Sequence, residues 1–201
     1  TTSLMHTTPF DPIKDFSPVT LAVTSCHVLV AHPSLPLKSV ADLIALAKAR
    51  PGVLNYGSTN IGTSPHLAAE LFKSMTGVDI VRVSYKGTAP SQNDLIAGHV
   101  QLMFSTAASV SPHVKSGRLR ALAVTSAQPS ALVPNLPTVA ASGVPGYESD
   151  VVYGLWAPAK TPTAIISRLN QEIVGMLNKP ETREKLTALS LEAAPSSPDE
   201  F

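Results

Sequence analysis

The chain has 201 residues, 44% hydrophobic and 14% charged, enough for one large domain or two small lobes, and a composition that excludes disorder. Fifteen basic against 14 acidic side chains leave a net charge of +1, and nothing in that balance points to a nucleic-acid or membrane-surface partner. No apolar run approaches the ~20 residues that cross a bilayer, and the single cysteine, Cys26, excludes an intrachain disulfide.

In chain order, the first strand signal is the apolar run 19–30, in which Cys26 reads as a small buried side chain rather than a nucleophile. Ser39-Val40-Ala41-Asp42 resembles a capping box, and Leu43, Ile44 and Ala47 form the apolar side of a helix ending at Arg50, ahead of Pro51-Gly52. A strand over 53–56 then leads into Gly57-Ser58-Thr59-Asn60-Ile61-Gly62-Thr63-Ser64-Pro65-His66, a loop rich in hydroxyl and amide side chains. Pro65 suits a first helical position, and Thr63 or Ser64 can cap the helix start. That helix places Leu67, Leu71 and Met75 on one face and ends at Gly77. Further strands are expected over 80–85, 100–104 and 119–124. Helices are expected from Pro90 to Ala97, closed by Gly98, and briefly after Ser111-Pro112, stopping at Gly117.

The proline-rich section 128–160 reads as a linker region with a strand over 150–156. In that strand Tyr153 and Trp156 read as core or cleft wall. Thr161 caps the next helix and Pro162 opens it, with Ile165, Leu169, Ile173 and Met176 as a buried stripe; residues 180–191 give another helix. Ser196-Ser197-Pro198-Asp199-Glu200-Phe201 has the pattern of a helix start. With no initiator methionine and no leader pattern at the other end, the chain reads as a segment of a longer protein.

Strands alternating with helices of this length predict an α/β fold whose mainly parallel sheet carries helices on both faces. Ligands of such sheets sit beyond the carboxyl ends of the strands, which selects the loops 57–64, 86–91 and 105–109. A helix start with unbonded N–H groups and neighbouring hydroxyls suits an anion. No lysine follows the glycines and the Gly-x-Gly-x-x-Gly spacing is absent, so the pattern points to a small carboxylate rather than a nucleotide. The candidate ligand residues are Ser58, Thr59, Asn60, Gly62, Thr63, Ser64, Tyr85, Lys86, Ser105 and Thr106. The same residue types also cap helices and form turn hydrogen bonds, and at least one of Thr63 and Ser64 is expected to do only that. His6, His27, His32, His66, His99 and His113 lack zinc-ligand spacing, so neither a metal nor a cofactor is expected; His66, next to the loop, is the histidine of most interest.

Several segments in order carry a resemblance: Asp11-Pro12-Ile13-Lys14-Asp15-Phe16, the loop 57–66, Tyr85-Lys86-Gly87, Asp94-Leu95-Ile96-Ala97-Gly98, Leu119-Arg120-Ala121-Leu122-Ala123-Val124-Thr125-Ser126, Leu136-Pro137-Thr138-Val139-Ala140 and Gly146-Tyr147-Glu148. Together they resemble the tripartite tricarboxylate transporter solute receptors, the Bug or TctC family, over nearly the whole chain. The resemblance implies a two-lobed fold of the periplasmic binding protein type II kind. Residues 1–27 would be a remnant of lobe 1, residues 28–123 the complete lobe 2, and residues 124–201 the return crossover and the last part of lobe 1, with hinges near Val28 and Thr125. It also implies a periplasmic receptor that closes on a carboxylated solute and delivers it to membrane transporter components, without itself entering the membrane or binding nucleic acid. On that resemblance, the N-terminal part of lobe 1, with the family's glycine-rich carboxylate loop, would lie outside this segment. Family members commonly carry aspartate and asparagine where this chain has Ser105-Thr106, which favours a solute without an amine: a di- or tricarboxylate or an aromatic carboxylate. Two rivals fit less well. A hydrolase using Ser58, Ser64 or Ser84 would need a paired base, and no Gly-x-Ser-x-Gly elbow is present. The effector-binding domain of a transcriptional regulator shares the architecture but gains no support from the near-neutral charge.

Overall fold

The apolar run near the start of the chain forms a long strand, β1 (Phe16–Ala31), in a computed structural model that describes residues 9–201. Helix α1 (Val40–Ala49) starts where Ser39 accepts a hydrogen bond from the Asp42 amide at 3.1 Å, while the Asp42 carboxylate accepts from the Lys38 amide at 2.8 Å. Then come β2 (Asn55–Ser58), α2 (Ser64–Thr76), β3 (Val81–Ser84), α3 (Thr88–Ala97), β4 (Leu102–Thr106), α4 (Ala107–Lys115) and β5 (Arg120–Val124). Gly77 and Gly98 close α2 and α3 with φ of 68° and 80°, the left-handed geometry that stops a helix without a Cβ penalty.

These strands lie in the order β3-β2-β4-β1-β5. β2 is parallel to β3 and β4, while β1 runs against β4 and β5, so four strands share one direction and β1 opposes them. Alternation along β1 feeds both faces, as a sheet covered on two sides requires. Leu29 and Ala31 join Phe72, Phe104 and Tyr147 on one face; Val28 and Val30 join Leu95, Met103 and Val110 on the other. Phe72 meets Phe104 and Tyr147 with ring centroids 5.9 and 6.2 Å apart, and the Tyr147 hydroxyl donates to the Ala68 carbonyl at 2.9 Å, which fixes α2 on the sheet. Cys26 is buried without a disulfide.

The backbone divides into two compact units, Cys26–Asp150 and the residues up to Ser25 together with Val151–Phe201. The second unit contains the first part of β1, β6 (Asp150–Pro158), α5 (Thr163–Leu177), α6 (Pro180–Ala188) and β7 (Glu192–Ala193). β6 and β7 pair with β1, the latter in the register Val23↔Ala193. At the chain's far end the Ser197 amide and hydroxyl both donate to the Glu200 carboxylate at 2.8 Å.

Four expectations are corrected. Helix α4 begins at Ala107, four residues before Ser111, with Pro112 inside it. Pro112, the sixth of nine helical residues, gives up one backbone hydrogen bond, and α4 ends three residues later at Lys115. The expected stripe of α5 is not buried: Ile165, Leu169 and Met176 are 50%, 42% and 48% exposed. The inward face is offset by one position, through Ile166, Asn170, Ile173 and Leu177. Asn170 belongs to it because its amide donates to the carbonyls of Val19 and Ser196 at 2.9 and 2.8 Å. That helix starts at Thr163, and the Thr161 amide instead donates to Pro158, so Thr161 does not cap it. Tyr153 and Trp156 are likewise half-exposed rather than core; Trp156 packs its ring on Phe201 at 4.5 Å. His6 lies outside the described residues.

Candidate functional site

Three helices of the Cys26–Asp150 unit begin at one place. Their N-caps are Thr63 for α2, Gly87 for α3 and Thr106 for α4, and none of the three carries a side-chain capping bond. An α-helix leaves its first-turn N–H groups without intrahelical acceptors, and each N-terminus bears roughly half a positive charge. Gly57 brings α3 close: a Cβ there would collide with the buried Ser91 hydroxyl on that helix. Ser58 closes β2, Ser105 and Thr106 close β4, and His27 of β1 stands opposite Thr106 in register.

These residues enclose a cavity of about 190 Å³ beyond the carboxyl ends of β2 and β4. The ends of β2 and β4 contribute Ser58, Thr59, Ser105 and Thr106 to its wall, the interior of β1 contributes His27, and helix starts contribute Ser64, Pro65 and Thr88. Met103 and Phe104 give it an apolar floor. The Ser105 hydroxyl lies 2.8 Å from that of Ser109, which also takes a bond from Thr106 at 3.2 Å and donates to the Thr106 carbonyl at 3.0 Å. Hydroxyls in such a cluster can rotate toward an incoming acceptor.

Five of the ten candidates from the sequence therefore meet at one cavity: Ser58, Thr59, Ser64, Ser105 and Thr106. The other five lie outside its wall. Asn60 is exposed, and the Thr63 hydroxyl donates to the Asn60 carbonyl at 2.8 Å and lies 3.0 Å from that of Thr59. The Gly62 amide donates to His66 Nδ1 at 3.2 Å, so His66 also serves the turn itself. Arg82 braces the loop from outside, its guanidinium donating to the Thr59 carbonyl at 2.6 Å. Tyr85 donates its hydroxyl to Asp94 at 2.7 Å, which holds the Asp94 carboxyl below its ordinary range; burial first, and then Asp94, push the Tyr85 phenol up to about 12. Lys86 is exposed.

Sequence reasoning missed His27 and Thr88. The signal for His27 was an ionisable residue inside an apolar strand, Cys26-His27-Val28-Leu29-Val30. Its main chain is tied to Thr125, whose hydroxyl accepts from the His27 amide at 2.9 Å and donates to the His27 carbonyl at 3.1 Å. Its ring is 2% exposed, neither nitrogen has a hydrogen-bond partner, and burial drives its pKa down to about 4. A larger groove of about 450 Å³ is lined mostly by aliphatic side chains, among them Val28, Val110, Val114 and Leu132, with Ser111, Lys115 and Asn135 as its polar members. Among the described residues there is no group of three His, Cys, Asp or Glu able to hold a metal, and no helix long and apolar enough to cross a membrane.

Residues 2–200 match the family described as the tripartite tricarboxylate transporter family receptor. The chain belongs to that family. As a TctC receptor chain it is 35% identical over 198 residues to Protein BugT of Bordetella pertussis, a match covering 98% of this chain and 61% of BugT. Among solved structures, R. palustris Rpa4515 with adipate is 40% identical, with a TM-score of 0.84 over 97% of this chain and 65% of that one. MatC (Rpa3494) from Rhodopseudomonas palustris with bound malate is 26% identical, with a TM-score of 0.77 over 94% of this chain and 65% of MatC. The chain thus spans less than two thirds of each of these relatives. Its likeness to TctC receptor structures agrees with the expected type II binding-protein architecture, and the family is one of receptors rather than enzymes.

Proposed function

We propose that this chain forms the carboxylate-gripping part of a periplasmic TctC receptor, which hands a small dicarboxylate to membrane transporter components. The observation that carries the reading is the meeting of three helix N-termini, none capped by a side chain, at one hydroxyl-lined cavity. Amide N–H groups and positive helix ends aimed at one point favour an anionic oxygen and need no lysine or arginine in the wall. A volume of about 190 Å³ suits one end of a short-chain acid better than a nucleotide. The adipate and malate held by two relatives are consistent with that size and charge. Ser105 and Thr106 add no acidic group that would pair with a ligand amine, which favours simple di- or tricarboxylates and aromatic carboxylates over amino acids.

The test is a thermal-shift screen with adipate, malate, succinate, benzoate, aspartate, a nucleotide and a sugar. At a hundredfold excess over Kd a binder adds about 2.7 kcal/mol, a rise of roughly 5–10 °C for a protein of this size. Adipate or malate should give that rise. Stabilisation by the nucleotide or the sugar alone would overturn the carboxylate reading, and aspartate outperforming succinate would overturn the argument from Ser105-Thr106.

A further inference from the structure

We infer that His27 is the cavity's contact for the solute carboxylate, and that its imidazole takes up one proton from solvent as the carboxylate enters and returns it on release. The inference rests on the carboxylate reading above and adds to it a specific residue and a linkage to pH.

Buried polar groups are hydrogen-bonded with few exceptions, so an imidazole with both nitrogens unpaired inside a folded unit requires an explanation. His27 is 2% exposed, it is one of the residues that line the cavity, and both of its ring nitrogens are buried without a partner. Its backbone is satisfied by Thr125 independently of the ring, so the strand does not need the imidazole for its own pairing. A carboxylate in the cavity gives one ring nitrogen the acceptor it lacks. The other polar side chains of the wall belong to serine and threonine, so His27 is the one group there that can match a buried negative charge with a positive one.

The neighbouring elements add no competing charge. β4 presents Ser105 and Thr106, β2 presents Ser58, α2 presents Ser64 and α3 presents Thr88, while Thr125, the residue after β5, bonds the His27 main chain. The ionisable residues of those helices lie outside the wall: His66, Glu70 and Lys73 on α2, Asp94 on α3, and His113 and Lys115 on α4. Arg82 of β3 is not in the wall; its guanidinium donates to the carbonyl of the wall residue Thr59 and to the Ser84 hydroxyl. Burial alone keeps the ring neutral, with a pKa of about 4. A carboxylate against it reverses the balance, because an opposite charge at contact distance in a shielded site favours the imidazolium.

Adipate binding is measured by calorimetry at pH 6.5, 7.5 and 8.5, in HEPES and in Tris, whose ionisation enthalpies differ and neither of which is a small oxyanion. Over that range adipate is fully ionised, so the expected weakening of about three- to tenfold per pH unit reports the protein's proton. The apparent binding enthalpy should differ between the two buffers by close to one proton's worth. His27→Gln keeps a donor but cannot take up a proton, so its adipate affinity should be independent of pH and buffer. A second readout needs no variant: the His27 ring proton resonance at pH 7 should move to the imidazolium position on adding adipate. Wild-type binding without buffer dependence, or a His27→Gln protein that keeps it, overturns the assignment while leaving the carboxylate reading intact. Absence of binding to any carboxylate overturns both.

Discussion

Thr125→Val removes one hydroxyl and almost no volume, at a residue that is fully buried. That hydroxyl accepts from the His27 amide at 2.9 Å and donates to the His27 carbonyl at 3.1 Å, while the Thr125 amide also donates to that carbonyl at 2.9 Å. After the substitution the carbonyl keeps one donor, but the His27 N–H loses its acceptor. An N–H stranded out of reach of water costs about 1–3 kcal/mol. Taking about 2 kcal/mol, the melting temperature should fall by roughly 4–8 °C. Thr125→Ser keeps the hydroxyl and deletes one methyl, a loss of about 1 kcal/mol or less. Urea unfolding followed by far-UV circular dichroism gives both numbers, with the slope unchanged if only stability has moved. The reasoning fails if valine is tolerated as well as serine, because the hydroxyl would then not be the strand's missing acceptor.

Four further outcomes are expected. His27, held neutral by burial with a pKa of about 4 against an unfolded value of 6.5, binds fewer protons folded than unfolded between those limits. Its contribution is therefore complete above pH 6.5 and declines as pH falls to 4, by about 3 kcal/mol in total; His27→Leu should flatten the stability profile in that window, and an unaltered slope would refute this. The buried Tyr56 donates its hydroxyl to Glu70 at 2.6 Å, so Tyr56→Phe should cost about 1 kcal/mol in chemical denaturation, less than a fully buried charged bond because Glu70 is 41% exposed. Ser39→Ala should lose about 1 kcal/mol with the cap of α1, while aspartate at that position should restore most of it. Gly57→Ala should cost about 1–3 kcal/mol by driving a methyl into the Ser91 hydroxyl, and Ser91→Ala in the same chain should recover most of the loss; strictly additive effects would show that the two do not meet.

Much of the fold was legible because the chain marks its own boundaries. Ser39, Pro65, Gly77 and Gly98 each sit at a helix end for a backbone reason that does not depend on the rest of the molecule. Where tertiary contacts decide, the pattern misled. On α5 the apolar positions 165, 169 and 176 looked inward, yet the helix turns Asn170 to the interior, because two remote carbonyls there need donors. A polar residue at the centre of a buried face is invisible to apolar periodicity. On α4, Pro112 suggested a start that the backbone makes at Ala107. The candidate site was half legible for a related reason. Its hydroxyls come from loops that the strand-end rule selects, whereas His27 enters from β1, the one strand running against the others, so its position in sequence gave no hint that it joins them.

The chain's two units differ in when they can be completed. Cys26–Asp150 is contiguous, so a ribosome delivers all of it before residue 151 appears. The strand segment ahead of it must wait for partners some 170 positions later: Val23 pairs with Ala193, and the Thr20 hydroxyl donates to the Ser196 carbonyl. Synthesis at about 5–20 residues per second leaves that edge without them for roughly 10–35 seconds. A nascent polypeptide of this kind offers chaperones an early, half-finished β-edge to shield, and truncations near residue 190 should strand it permanently.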